Sequence, residues 1–332
     1  MKILYAIQGT GNGHIARAED IVPILQQLGN LDLFVSGAQA DIKLSYPVKY
    51  KSKGLSFYFG KSGGVDLVKT FRRNSSKAVY KEIRDFPVEK YDLVINDFEP
   101  ISAWACNRKQ VPCVALSHQS SLLSPQSPRP KSFDPVGEWI LKNYAPAKAH
   151  VGFHFARFDK NIYTPVIRAR VREAKVQDKG HYTVYLPAYD DKKLVPLLTR
   201  LSKVKWHVFS KHAKKPYHVG KLSVYPVNNE EFTISMATSS GVLCGAGFET
   251  PAEALYLGKK LLVVPMKSQY EQHYNAAALK QMGVPVLKKV KKKNMDKIEA
   301  WLATGDRATV EYNNIAEEAV QQALALGEAM QH

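Results

Sequence analysis

The chain has no long apolar run: no segment reaches the ~18 consecutive apolar residues that a bilayer-spanning helix needs, so no transmembrane segment is expected. Cysteine is scarce, with Cys106, Cys113 and Cys244 the three found in 332 residues. They lack metal-ligand spacing and sit in or near apolar segments, which predicts reduced, buried thiols in a cytosolic protein. The opening residues form a strand pattern without a cleavage signature, so no signal peptide is expected and the location is predicted to be cytoplasmic. There is no Asp-x-Asp pair to hold a metal ion, and no metal or resident cofactor is expected. Acid is scarce relative to base: 47 Lys and Arg against 30 Asp and Glu give a net charge of +17. Such a charge favours anions, whether nucleic acid, anionic lipid or phosphorylated ligands. Zinc-finger spacing, RNA-binding signatures and basic-zipper patterns are all missing, so nucleic acid is not the expected partner.

What is present is an alternation of strand and helix. At 45% hydrophobic residues the chain can bury substantial cores, and its length suits two domains. Strands are predicted at 2–7, 31–36, 92–96 and 111–117, and again near 182–186, 204–209, 222–225, 241–244 and 261–264. Helices fit about 190–202, 250–257, 273–282 and 294–303. Such alternation implies an α/β fold of two Rossmann-like, doubly wound domains, expected to face each other across a cleft. The predicted division is 1–160, a linker at 161–180, 181–312, and a C-terminal amphipathic helix at 313–332 with Ala316, Val320 and Leu324 on one face. Ser120 to Pro135, rich in Ser and Pro, is expected to be a surface loop.

Lys2–Ile7 reads as a buried strand running into Gln8-Gly-Thr-Gly-Asn-Gly-His14, with Ile15, Ala18, Val22 and Leu25 following at helical spacing. This is not the dinucleotide fingerprint, since strand two ends in Ser36-Gly37 rather than in an acid. It is not a P-loop, because no Gly-Lys-Ser/Thr follows. What remains is a histidine at a helix start, where the dipole disfavours imidazolium and suits a neutral base. Ligands bind at the carboxyl ends of parallel strands, and His14, Asp97, Glu99 and His118 all fall at such ends.

The second half holds Gly245-Ala-Gly-Phe-Glu-Thr-Pro-Ala-Glu253 after the apolar run Gly241–Cys244. Gly245 and Gly247 are expected to use backbone angles that other residues avoid and to let a ligand approach. Thr250 suits a helix N-cap, Pro251 the first helical position, and Glu253 a capping box, with Gly258 as the stop. A helix start of this kind suits a diphosphate.

The order and spacing of these motifs resemble the family-1-like glycosyltransferases of the two-domain GT-B architecture. The matching segments are Gly11-Asn-Gly-His14, Asp97-Phe-Glu-Pro100 and Gly247-Phe-Glu-Thr-Pro-Ala-Glu253. More distantly the chain is similar to the N-acetylglucosaminyl transferase of lipid-linked cell-wall precursor synthesis and to UDP-glucuronosyl and UDP-glucosyl transferases. The resemblance implies an enzyme of the hexosyltransferase class that takes a nucleotide sugar, a UDP-sugar, as co-substrate. It implies that Glu253 binds the ribose hydroxyls, that Gly245 and Gly247 form the turn near the diphosphate, that Phe248, Glu249 and Thr250 belong to the donor-binding loop, and that Glu271 and Gln272 contact the donor sugar. It implies that His14 is the base and Asp97 its orienting carboxylate, with Glu99 a substitute base. Gly11, Gly13 and His118 fall on the acceptor side, and inversion without an obligatory metal is implied.

The chain departs from the plant pattern at Gly245, where relatives place a histidine, and at Phe248-Glu249, where they place Trp-Asn. These departures leave the donor sugar open. Two other readings share the architecture: a UDP-N-acetylglucosamine 2-epimerase, and a non-catalytic polysaccharide- or nucleic-acid-binding protein. The +17 charge, with the stretches Leu55–Phe59 and Val68–Arg73, further suggests a lipid-linked acceptor reached at an anionic membrane surface.

Overall fold

In the computed structural model the structure is described for all residues except 11, 38–43, 55–75, 133, 268 and 332. The stretches Leu55–Phe59 and Val68–Arg73, and Gly11, therefore lie outside the described residues. The chain divides into two compact units. The first is Met1–Ser127, Ser132–Arg168 and Tyr312–His332, and the second is Pro128–Lys131 and Ala169–Glu311.

The first unit is built on a seven-stranded sheet: β1 (Lys2–Gln8), β2 (Asn30–Ser36), β3 (Tyr50–Ser52), β4 (Leu93–Asp97), β5 (Cys113–Ser117), β6 (Ala149–Phe153) and β7 (Ile162–Tyr163). Their order is β3-β2-β1-β4-β5-β6-β7, and the paired strands run parallel. Ile3 to Ile7 are wholly buried, as a central strand covered on both faces requires. The strand order reverses between β1 and β4, so a crevice opens at the carboxyl ends of those two strands.

The second unit carries β8 (His181–Tyr185), β9 (Lys205–Ser210), β10 (Tyr217–Val219), β11 (Leu222–Pro226), β12 (Gly241–Gly245) and β13 (Lys260–Val264). The order is β10-β11-β9-β8-β12-β13, parallel except for the β10–β11 hairpin. Its reversal falls between β8 and β12, at whose carboxyl end Gly245 lies. Trp206, Val184, Leu243 and Ile298 anchor its core.

The predicted strands fall where the buried Val, Ile and Leu runs place them, whereas β3, β6, β7 and β10 were missed. The expected linker at 161–180 is shared between the units: Ile162–Tyr163 pairs in the first sheet, and the main segment of the second unit begins at Ala169. The terminal helix Ala316–Glu328 is not an appendage but part of the first unit, where a Cβ at Gly327 would lie 2.5 Å from the Leu93 side chain. Ser120 to Pro135 also differs from a surface loop at its start: Ser120, Ser121 and Leu122 are buried within a short helix, His118–Leu122.

Candidate active site

The helix Asn12–Leu28 begins just after β1 and presents His14 to the end of β4. His14 Nδ1 lies 2.8 Å from Asp97 Oδ1. Asp97 is the last residue of β4 and is fully buried, while the His14 side chain is 14% exposed. A carboxylate only accepts, so Nδ1 is the donor in this contact, and in the neutral ring Nε2 is then the nitrogen with the lone pair. The geometry is that of an imidazole base held by a carboxylate.

The sequence reading missed a third member. Arg17 Nη2 donates to both Asp97 oxygens, each at 2.8 Å, and approaches His14 Nδ1 at 3.2 Å. Its signal was the i, i+3 spacing from His14, which puts both side chains on one helix face. Burial works against the Asp97 charge, but Arg17 and then His14 outweigh it and hold the carboxyl below its ordinary value.

Glu99, expected as a substitute base, is engaged as a helix cap. It is fully buried and caps the helix Pro100–Lys109, accepting from Ile101 N at 2.8 Å and Ser102 N at 2.7 Å. The Ser36 and Ser102 hydroxyls each donate to it at 2.6 Å. Burial pushes its carboxyl above the ordinary range, against those four hydrogen bonds. The turn between Asp97 and Glu99 puts Phe98 at φ +57, a left-handed conformation rare for a bulky side chain. That turn sends one acid to His14 and the next to its helix.

His118 is not an open acceptor-side group either. It is 1% exposed, and its Nδ1 lies 2.7 Å from the Phe153 carbonyl. Gly13 lies in the first turn of the His14 helix.

In the second unit, β12 ends at Gly245 and the helix Glu249–Tyr256 follows. The start differs from the expected cap. Phe248 occupies the N-cap without a side-chain cap hydrogen bond, and Thr250 lies inside the first turn. Pro251 is tolerated there because first-turn N–H groups have no intrahelical acceptor. Glu253 is a full turn in, 1% exposed, and so does not form a capping box. Gly258, at φ +64, is the left-handed stop that the sequence predicted.

Neither Gly245 nor Gly247 has a positive φ, contrary to the expected use of unusual backbone angles. Their value is space: a Cβ on Gly247 would meet nothing within 4 Å. Asn275 Nδ2 donates to the Ala246 carbonyl at 3.1 Å and fixes this loop. The helix Tyr270–Gln281 carries Glu271 and Gln272 in its first turn. Gln272 Oε1 accepts from Met266 N at 3.0 Å, and its Nε2 donates to Gln269 Oε1 at 2.6 Å. Here Gln272 therefore organises the loop after β13.

Residues 1–304 match the sequence model of the family described as glycosyl transferase family 1. The chain belongs to glycosyl transferase family 1. The transferase is similar in fold to Arabidopsis thaliana UGT89C1 complexed with UDP, at TM-score 0.61 and 14% identity, covering 100% of this chain and 99% of that one. It is also similar to Acinetobacter baumannii MurG, at TM-score 0.55 and 15% identity, covering 99% of each chain. A third likeness is to the glycotransferase of kitacinnamycin, at TM-score 0.57 and 13% identity, covering 99% of this chain and 95% of that one. At such identities these likenesses bear on fold, and the fold is GT-B with two Rossmann-like domains. A search of curated proteins finds no match for the transferase. Family membership makes the chain a glycosyltransferase, as its motifs predicted.

Proposed function

We propose that this glycosyltransferase moves a hexosyl group from a UDP-sugar to an acceptor hydroxyl, with inversion and with His14 as the base. The observation that carries the reading is the 2.8 Å contact between His14 Nδ1 and buried Asp97 at the β1/β4 switch point. The acceptor oxygen attacks the anomeric carbon as its proton passes to His14 Nε2. The bond from that carbon to the diphosphate oxygen breaks, and its electron pair leaves with UDP. A base so placed contributes about 10²–10⁴-fold.

The donor half of the proposal rests on the second unit. The helix Glu249–Tyr256 starts just after Gly247, where a Cβ would meet nothing within 4 Å. Backbone N–H groups and the dipole there suit a leaving diphosphate, so no metal ion is required of the mechanism. A solved structure of similar fold was crystallised with UDP, and another of the same protein with UDP-L-rhamnose. Glu253 is assigned to the ribose hydroxyls and Glu271 to the sugar. Calorimetry with UDP tests this assignment. A folded Glu253→Ala variant should bind UDP at least about tenfold more weakly, since hydrogen bonds to a charged acceptor are the strong ones. Unchanged UDP affinity would remove Glu253 from the site.

The acceptor is proposed to be lipid-linked and reached at the cytoplasmic face of an anionic membrane. The net charge of +17 supports this. On the first unit, Tyr80 is 54% and Trp104 37% exposed, and Arg108 stacks on Tyr80 from the same helix as Trp104. Co-sedimentation with anionic vesicles at low salt, lost at high salt, is the expected result. No co-sedimentation at low salt would favour an acceptor free in solution.

A further inference from the structure

Arg17 is a charged side chain, 2% exposed, in a place where burying a cation is costly unless it is well paired. It is paired by one nitrogen reaching both oxygens of Asp97 at 2.8 Å. Its guanidinium also sits 5.5 Å from the centroid of the Phe153 ring, so its flat face is supported as well as its edge. Burial keeps it from touching a substrate, yet it lies 3.2 Å from His14 Nδ1.

We propose that Arg17 is a positioning residue for the acid–base pair: it locks the Asp97 carboxylate and, through that carboxylate, fixes which nitrogen of His14 carries the proton. The inference rests on the reading of His14 as base for its catalytic consequence, but not for its effect on the ring itself.

Geometry carries this role. A carboxylate held on both oxygens by the guanidinium cannot turn away from the ring, so it keeps accepting from His14 Nδ1–H. Among the described residues, the other ionisable groups near this edge are committed elsewhere. Glu99 is used by Ser36, Ile101 and Ser102. His118 is bonded to the Phe153 carbonyl, and His154 Nδ1 accepts from Phe155 N at 2.9 Å. Burial and then His118 keep His154 well below its ordinary value, and so uncharged. Among the described residues, Arg17 is thus a cation that faces Asp97 and His14 together.

The test is ¹⁵N NMR of histidine-labelled full-length protein, run beside kinetics on the same samples. In the unmodified chain neutral His14 should be the Nδ1–H tautomer alone. In Arg17→Gln the charge is lost and the Asp97 carboxylate is no longer locked, so neutral His14 should become a mixture of tautomers. In the same variant kcat at the optimum should fall about tenfold or more while donor KM stays within about twofold. A folded Arg17→Gln protein in which His14 remains the Nδ1–H tautomer alone overturns the proposal. If that variant does not fold, Arg17→Lys carries the test, because it keeps the charge and loses the planar guanidinium. Mixed His14 tautomers are then expected, and a single unchanged tautomer overturns the proposal. Because the NMR readout does not depend on turnover, near-normal activity of His14→Ala would sink the base assignment without deciding the role of Arg17.

Discussion

Asp97 and Glu99 stand two positions apart, both wholly buried, and do different work because of one left-handed residue, Phe98. Sequence spacing made both acids candidates for proton chemistry. Only the hydrogen-bond partners separate them: a histidine and an arginine for Asp97, and a helix start with two hydroxyls for Glu99. Glu99→Ala should therefore act on folding. Loss of the cap and of charged acceptors for two buried hydroxyls should cost about 2–4 kcal/mol, read as a lowered urea midpoint. Unchanged stability with abolished turnover would return Glu99 to catalysis. The position of His14 and Asp97 was legible, because both end buried strand patterns. Arg17 was not, because a basic residue on an amphipathic helix reads as solvent-facing until its partner is known.

The legible elements are those whose burial is written as continuous Val, Ile and Leu, such as β1, β4, β12 and β13. The strand β6 is Ala-His-Val-Gly-Phe, too short and too mixed to announce itself, yet its Phe153 lies beside Arg17 and bonds His118. Its Gly152 has a tertiary reason. A Cβ there would fall 2.7 Å from the Ser121 backbone, where the helix His118–Leu122 crosses the strand. Gly152→Ala should cost about 1–3 kcal/mol through overpacking, measured by denaturant unfolding, whereas Gly247→Ala should be nearly neutral for stability. Equal costs would mean that contact does not set the close approach. The helix after β12 was legible in existence and in its stop, but not in its start. Thr250 and Glu253 spell a capping box in sequence, and the chain enters the helix one residue before Thr250. Local capping chemistry lost there to a loop fixed from outside by Asn275.

For the whole molecule, each sheet places its own candidate residues at a strand-order reversal, which the alternating pattern predicted as a principle without giving the order. The fold also holds several histidines uncharged. Burial, and then the neighbours His181, His218 and Lys205, bring His207 down to about 4. Its ring stacks on His181 at 3.9 Å. The unfolded chain binds protons at these sites near the ordinary value of about 6.5, before the folded chain does. Their contribution is therefore complete above about pH 6.5 and is lost as pH falls towards about 4. The melting temperature should drop across that window, and His207→Gln should flatten the drop; an unaltered slope would place the proton uptake elsewhere.

The central claim is tested most directly by UDP release from UDP-sugars, with water as acceptor where no other is supplied, in the native chain and in His14→Ala. Calorimetric UDP affinity is measured on the same samples. The account predicts turnover lowered by about 10²–10⁴-fold in the variant, with UDP affinity within about twofold. Near-normal turnover in folded His14→Ala would contradict it.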